Sequence, residues 1–244
     1  MDSRPLLYLS VRPQQNAADG EYASFQTATG LDPERLHRHD LVRDPLPPGA
    51  IERYAGFVVG GSPFNATDPD PSGVQRRLER DLERIAAAAA ASEVAALFTC
   101  YGIGVVTRML GGTVSQDFPE GTMAAEVALT DAGHDDPVFG VLPDVFHAFT
   151  AHKEGTAEAP PEATLLATNP ACPVQAYRVG DRLYATQFHP EPTPRDFTDR
   201  MVVYRDAGYF PADEFDTVAA RVLGATVTEP ARMLRSFAAR FAPA

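Results

Sequence analysis

The first half of the chain alternates between short apolar runs and longer segments in which apolar residues recur every three or four positions. The strand-like runs lie at 6–11, 36–42, 54–59 and 94–100. The helix-like segments lie at 17–29, 74–91 and 101–110. Strands that alternate with helices at this spacing predict a doubly wound α/β fold with a mostly parallel sheet.

The second half has a more β-like pattern before helical spacing returns after Pro194. Short strands are predicted at 113–115, 124–130, 145–150, 164–168, 174–178 and 183–188. Helices are predicted at about 194–207, 212–223 and 229–241. We therefore expect a three-layer α/β domain, an open sheet flanked by helices, over residues 1–193. Residues 194–244 are expected to form a C-terminal helical extension that packs on this domain.

Composition and charge narrow the function classes. The 244 residues carry a net charge of −12, which argues against a nucleic-acid-binding protein. No apolar run reaches the roughly 18 residues of a membrane span, and the first apolar run is too short for a secretory signal. Two cysteines do not make a disulfide framework in a chain of this size. A reducing, cytoplasmic location is the expectation.

Cys100 stands where an apolar strand ends and a helix begins. The partial positive charge of a helix N-terminus favours the thiolate form of such a cysteine. A strained turn of this kind also predicts a positive φ at residue 100. Gly60 and Gly61 follow another strand, and the carboxyl ends of parallel strands meet at one edge of a sheet. We expect the two glycines to lie near the thiol.

A second segment supplies the partners that an activated thiol needs. The β-rich run 184–188 ends at His189, and Glu191 follows two residues later. Cysteine, histidine and carboxylate are the parts of an activated nucleophile, so Cys100 Sγ is expected within hydrogen-bonding reach of a His189 ring nitrogen. Cys172 lacks such surroundings and is expected to be structural. The histidines lack ligand spacing, and neither a metal nor a cofactor site is predicted.

Several motifs in the same order carry a resemblance to a known family. They are Gly60-Gly61-Ser62, Cys100-Tyr101-Gly102, 110–114, 136–143, 151–154, 172–177 and 187–191. Over roughly residues 50–193 the chain resembles the class I glutamine amidotransferases, the Cys-His-Glu glutaminase family. It is most similar to stand-alone members that resemble the glutaminase domain of GMP synthase.

The resemblance implies a mechanism and a set of site residues. It makes Cys100 the nucleophile, His189 the general base and then acid, and Glu191 the group that orients the imidazole. The thiolate attacks a γ-glutamyl amide, ammonia or an amine leaves, and water hydrolyses the thioester. Backbone N–H groups of Gly61 and Tyr101 are expected to hold the oxyanion. The substrate-binding positions implied are Gly60, Gly104, Ala151 and His152.

The chain departs from the family pattern beside these residues. Phe98 stands where the family has glycine, and Gly104 where it has a glutamine that helps to hold the substrate's amino-acid end. Ala151 and Glu154 replace a serine and an aspartate. The catalytic chemistry is therefore better supported than specificity for glutamine. Three alternatives stay open: a free-standing hydrolase of another γ-glutamyl compound, a catalytically silent binding or regulatory protein, and a cysteine peptidase.

The expected partners follow from the same reasoning. A small γ-glutamyl molecule is the expected substrate. The chain contains no Gly-x-x-x-x-Gly-Lys-Ser/Thr loop for a nucleotide, so a separate synthase protein is a candidate acceptor of ammonia. The C-terminal helices, 229–241 especially, are candidates for a docking or homodimer surface.

Overall fold

A nine-stranded sheet runs through the computed structural model, which describes residues 4–243. Within these residues the chain forms β1 (Leu6–Ser10), β2 (Leu36–Asp40), β3 (Gly56–Val59), β4 (Ala95–Thr99), β5 (Thr113–Ser115), β6 (Glu120–Leu129), β7 (Val145–His152), β8 (Gly155–Glu158), β9 (Ala163–Thr168), β10 (Ala176–Val179) and β11 (Leu183–Thr186). The strand order in the large sheet is β2-β1-β3-β4-β11-β10-β9-β6-β7, and β5 pairs with β8 in a separate ribbon.

The sheet changes its pairing at β11. Strands β2, β1, β3, β4 and β11 pair in parallel with one another. From β11 to β7 each neighbouring pair is antiparallel. Because β4 and β11 are parallel neighbours, their carboxyl ends meet at the same edge of the sheet, and Cys100 follows β4 directly. The predicted α/β class, an open sheet flanked by helices, is confirmed, and the predicted parallel pairing holds in the half of the sheet that carries Cys100.

Helices cover both faces of this sheet. They are α1 (Gln15–Thr29), α2 (Ala50–Arg53), α3 (Gly73–Ala90), α4 (Tyr101–Met109), α5 (Asp131–His134), α6 (Pro194–Val203), α7 (Phe215–Leu223) and α8 (Pro230–Phe241), with a 3₁₀ turn at Ala212–Glu214. Within residues 4–243, every helix is too short or too polar to be a membrane span.

Two apolar cores, one on each face, hold the three layers together. On one face Leu82 of α3 packs in a cluster with Phe57 and Phe98 of the central strands. On the other, Phe25 of α1 and Phe237 of α8 share a cluster with strand residues. Strands β1, β3 and β4 are buried along their whole length, as expected for parallel strands between two helix layers.

The C-terminal helices pack on the sheet: α8 joins the second core, and α6 and α7 form a third cluster with Phe149 of β7. The Phe197 ring of α6 stacks on Phe149 of β7 at a centroid distance of 4.6 Å, and the Phe237 ring of α8 lies 6.0 Å from that of Tyr184 in β11. The division at residue 193 into a domain and an extension stays a prediction. Residues 1–3 of the predicted domain and residue 244 of the predicted extension lie outside the described residues.

Some predicted boundaries differ from the observed ones. The helix predicted at 194–207 ends at Val203, and Gly208 shortly after it has a φ of 76°, which a continued helix does not allow. The four-residue helices α2 and α5 lie in segments without a helical pattern. Strand β8, which pairs with β5, lies outside the predicted strands, since its four residues carry no clear alternation.

Candidate active site

Cys100 occupies the turn between β4 and α4. Its φ and ψ are 52° and −107°, so the predicted positive φ is confirmed. The N–H of Cys100 donates to the carbonyl of Thr186, which closes the adjacent strand β11, at 2.8 Å. A non-glycine residue in this region is strained and persists only where its surroundings fix it. The turn holds the buried thiol above the carboxyl edge of the sheet.

His189 is held beside Cys100 by β7. Its N–H donates to the carbonyl of Phe149 at 2.8 Å, and its Nδ1 lies 3.3 Å from Oε1 of Glu191. His189 and Cys100 line the same cavity, and the hydrogen bond between Cys100 Sγ and a ring nitrogen of His189 stays a prediction. Burial disfavours charge on the ring, but the Glu191 carboxylate and the Cys100 sulfur outweigh it and raise the pKa of His189 to about 9.

Glu191 is held in turn by Arg200 of α6. Arg200 Nη2 donates to Glu191 Oε1 at 2.8 Å, and both side chains are buried. Burial alone would raise the pKa of Glu191, but the charges of His189 and Arg200 lower it to about 2. The carboxylate that faces the imidazole is therefore ionised at neutral pH.

A second buried carboxylate, Glu21 of α1, lies behind this pair. Its Oε1 accepts from Arg12 Nη2 at 2.7 Å and lies 3.4 Å from Arg200 Nη1. Its Oε2 accepts from the Tyr8 hydroxyl at 2.7 Å. Burial opposes the charge, but the two guanidinium groups keep the pKa of Glu21 below its ordinary value. Two carboxylates and two guanidinium groups thus form a charge-balanced, buried network.

This network opposes metal binding at a cluster of possible metal ligands. Ligand atoms of Glu21, His189 and Glu191 lie within 4.8 Å of one another. The Arg200 guanidinium, however, contacts both carboxylates, so a cation already balances their charge. A divalent ion here would face that guanidinium at close range.

Gly60 and Gly61 bring backbone close to this network. A Cβ on Gly60 would lie 2.2 Å from Glu21 Oε2, and one on Gly61 would lie 2.6 Å from His189 Cε1. Only glycine fits both positions. The N–H of Gly61 donates to Glu21 Oε1 at 3.1 Å. Its oxyanion role stays a prediction, and that role requires the N–H to leave Glu21.

Tyr101 is the first residue of α4, directly after Cys100. N–H groups in the first turn of a helix have no partner within it, so they are suited to hold an oxyanion. The Tyr101 hydroxyl donates to Glu79 of α3 at 2.6 Å, which anchors the start of α4.

His152 and Ala151 form one wall of the site at the end of β7. Both His152 nitrogens are occupied: Nδ1 lies 2.8 Å from the Glu154 carbonyl, and Nε2 lies 2.9 Å from Glu120 Oε2. This buried imidazole supports the wall and has no nitrogen left for a reacting group. The Glu154 carboxylate accepts from the N–H and the hydroxyl of Thr67, at 2.9 and 2.7 Å, and so holds the loop after β3.

Two of the four departures from the family pattern, Phe98 and Gly104, have physical explanations. Phe98 is a fully buried core residue, and it leaves no space for a side chain at Gly102, whose Cβ would lie 3.0 Å from that of Phe98. A Cβ at Gly104 would lie 3.0 Å from Ala66 Cβ and 3.3 Å from Glu154 Oε1. The loop that Glu154 holds thus occupies the space beside Gly104.

Cys172 is not among the residues that line the cavities at Cys100. It is buried among backbone carbonyls, 3.7 Å from that of Val174, and burial raises the pKa of its thiol to about 12. Both cysteines are free thiols.

Three charged residues of the site were not recognised in the sequence. Arg12, Glu21 and Arg200 lie outside the motifs and on helices or loops that had no assigned chemistry. A signal was nevertheless present: Glu21 shares the buried face of α1 with Ala17, Ala18 and Phe25, at helical spacing. A carboxylate on an apolar helix face needs a buried partner.

Comparison with known proteins gives a consistent family. Residues 37–204 match glutamine amidotransferase class-I. γ-Glutamyl peptidase 3 of Arabidopsis thaliana is 27% identical over 151 residues, which cover 58% of this chain and 56% of that protein. The glutamine-hydrolyzing GMP synthase component of Methanopyrus kandleri is 30% identical over 149 residues, 59% of this chain and 71% of that protein.

Solved structures share the fold. A glutamine amidotransferase from Thermotoga maritima superposes over 100% of both chains with a TM-score of 0.76 at 18% identity. One from Methylobacillus flagellatus has a TM-score of 0.70 at 17% identity over 97% of this chain and 94% of its own.

The chain spans only part of the length of some relatives. It spans little more than half of the plant peptidase. The Parafrankia GMP synthase is 32% identical over 142 residues, which cover 57% of this chain and 24% of that protein.

Proposed function

Because this chain belongs to the glutamine amidotransferase class-I family, we propose that it is a cysteine amidohydrolase of γ-glutamyl amides. The observation that carries the proposal is the buried row of Cys100, His189 and Glu191 at a strained turn. A core residue at position 100 has no need of a positive φ, nor of an ionised Glu–His pair beside it.

The first half of the reaction uses the thiol and the imidazole together. With its pKa near 9, His189 holds a proton at neutral pH and pairs with a Cys100 thiolate. The thiolate attacks the amide carbon, and the C–N bond breaks as the imidazolium donates its proton to the leaving nitrogen. Nδ1 faces Glu191, so Nε2 is the nitrogen that serves the reacting groups.

The second half returns the enzyme to its starting state. His189, now neutral, takes a proton from water as the water oxygen attacks the γ-glutamyl thioester. The C–S bond breaks, and the thiolate–imidazolium pair is restored. The γ-carboxylic acid leaves and gives the second proton of the water to solvent. In both halves the oxyanion would be held by the N–H of Tyr101, joined by that of Gly61 once it has left Glu21.

The test is release of ammonia or amine from γ-glutamyl compounds by the purified chain. Wild type and Cys172→Ala are expected to be active, while Cys100→Ala is expected to lose at least about 10³-fold in kcat/KM. Cys172→Ala is the matched control, because it removes the other thiol. Binding of a γ-glutamyl ligand by wild type without turnover would instead favour the silent binding protein. Release of amines from ordinary peptides alone would favour the cysteine peptidase.

A second candidate is a glutaminase component that passes ammonia to a separate synthase subunit. Similarity to the GMP synthase component of Methanopyrus kandleri, at 30% identity, favours it. Its signature would be a glutaminase rate that rises when the synthase subunit is added.

For either candidate function we propose a reducing, cytoplasmic location, since Cys100 must stay a free thiol.

A further inference from the structure

Two cavities meet at the Cys100 thiol. Both are lined by Ser62, Cys100, Ala151 and Tyr209, so the sulfur faces each of them. The first is lined by His189 and residues of α6, and we call it the histidine-side cavity. The second is bounded by Gly104, Glu154 and the loop after β3.

The chemistry assigns one half of the substrate to each cavity, and this step rests on the proposed function. The histidine must protonate the nitrogen that leaves, so the leaving group lies on the side of His189. His189 lines only the first cavity. The acyl half then enters the second cavity, where Asn65, Lys153 and Gln187 offer polar groups for its charged end.

The histidine-side cavity has an apolar, aromatic lining. Its walls include Phe197, Met201, Tyr204, Tyr209 and Phe210. The rings have fixed neighbours, because Phe197 stacks on Phe149 and Tyr204 makes an edge contact with Tyr209 at 6.3 Å. Ammonia would leave nearly all of this apolar wall without a contact.

The charges in this cavity argue against a cationic leaving group. Its two guanidinium groups belong to Arg12 and Arg200, which already pair with Glu21 and Glu191. The described lining contains no carboxylate. An amine with a second ammonium group would therefore bury a charge without a partner and beside two cations.

One wall of the histidine-side cavity is the segment 204–211 between α6 and the 3₁₀ turn, which we call the strap. Lys153 Nζ donates to the carbonyl of Ala207 at 2.6 Å and lies 5.0 Å from the centre of the Tyr209 ring. These contacts tie the strap to the end of β7. Tyr209 and Phe210 are thereby held over the thiol, where they would contact a flat ring.

We propose that the amine released from the γ-glutamyl group carries an aromatic ring. The amide nitrogen of such a substrate lies at His189, takes the proton and leaves as the neutral amine, and its ring packs among Phe197, Tyr209 and Phe210. Arg12 distinguishes aromatic amines that carry a carboxylate from those that do not. Its buried Nε has no hydrogen-bond partner among the described residues and suits a carboxylate on the amine, as in an aromatic amino acid.

The test compares kcat/KM for five γ-glutamyl compounds: the amides of 2-phenylethylamine, phenylalanine, methylamine and putrescine, and glutamine itself. Each aromatic amide is expected to exceed glutamine and the methylamide by about tenfold or more. If the phenylalanine compound is turned over faster than the phenylethylamide, the result supports the proposal and assigns the carboxylate to Arg12. If the phenylethylamide is turned over faster than the phenylalanine compound, the result supports the proposal without that contact.

Other results overturn the proposal. Equal or faster turnover of glutamine, the methylamide or the putrescine amide would do so while leaving the proposed function intact. No turnover of any of the five would overturn both. A variant pair gives a second readout: Phe210→Ala is expected to reduce the ratio of aromatic to methylamide kcat/KM by about fivefold or more. The control is Phe215→Ala, which removes a ring 5.9 Å from Phe210 but outside the cavity lining and is expected to keep that ratio. An unchanged ratio in Phe210→Ala would contradict the proposal.

Discussion

Arg200 Nη2 lies 2.8 Å from Oε1 of Glu191, so a guanidinium from a C-terminal helix holds the carboxylate that faces the histidine. The same side chain reaches within 3.4 Å of Glu21. The charge state of His189 therefore depends on α6 as well as on its own loop. Removing this one cation would leave two carboxylates facing each other in a buried site.

Arg200→Met tests that dependence. The variant is expected to lose about 3–5 kcal/mol of unfolding free energy, because a buried ion pair loses one partner. The measurement is urea denaturation at neutral pH. The control is Arg195→Met on the same helix, whose exposed pair with Asp199 is expected to contribute less than about 1 kcal/mol. Equal stability of the two variants would contradict the described network.

Gly61→Ala tests the close approach of backbone to the imidazole. Its Cβ would lie 2.6 Å from His189 Cε1, so the ring must shift. We expect kcat to fall by about 10²-fold, the typical cost of misplacing a reacting group by about 1 Å. The control is Gly73→Ala, where a Cβ meets nothing within 4 Å. Full activity of Gly61→Ala in a steady-state assay would show that the ring tolerates the displacement.

The ionisation of His189 and Glu191 predicts how stability depends on pH. His189 has its pKa raised from 6.5 to about 9, so its stabilising charge is fully present below pH 6.5 and is lost as pH rises through 9. Glu191 has its pKa lowered from 4.5 to about 2, so its contribution is present above pH 4.5 and is lost as pH falls through 2. The two contributions are complete together between about pH 4.5 and 6.5.

Thermal unfolding of wild type and His189→Gln across pH measures this effect. The Tm difference between them is expected to shrink between pH 6.5 and 9, as the imidazolium that faces Glu191, Cys100 and Arg200 loses its proton. The kcat/KM of wild type is expected to fall above about pH 9, where the general acid is lost. A Tm difference that is constant over this range would mean that His189 titrates elsewhere.

Gly104→Gln tests whether the family's glutamine can be restored. The added side chain meets Ala66 and Glu154, so the variant is expected to lose about 1–3 kcal/mol of stability and to gain no glutaminase activity. Adding Ala66→Gly removes the nearest atom and is expected to recover part of the stability. Higher glutamine turnover in the single variant would show that the loop after β3 moves aside.

The sequence was sufficient for the parts of the site that depend on local pattern. The strand that ends at Cys100 and the run that ends at His189 are both apolar segments followed at once by a reactive residue. The alternation of strand-like and helix-like segments predicts the α/β class. The positive φ at residue 100 follows from the same local pattern.

The charged network could not be predicted in this way, because its members are far apart in the chain. Arg12, Glu21 and Arg200 meet only through the packing of α1 and α6 at the sheet edge. The predicted boundary at residue 193 likewise places α6 in the extension, whereas Phe197 and Arg200 of α6 line the histidine-side cavity. The bond from the Gly61 N–H to Glu21 depends on the same packing.

In the proposed reaction the Cys100 sulfur forms a thioester with a γ-glutamyl group. Intact-protein and peptide mass spectrometry after rapid mixing with a γ-glutamyl amide and acid quenching tests it directly. We predict a mass increase of one γ-glutamyl group on the peptide that contains Cys100, none on the peptide that contains Cys172, and none in Cys100→Ala. Turnover of the amide with no adduct at Cys100, or with the adduct on another residue, would contradict the account.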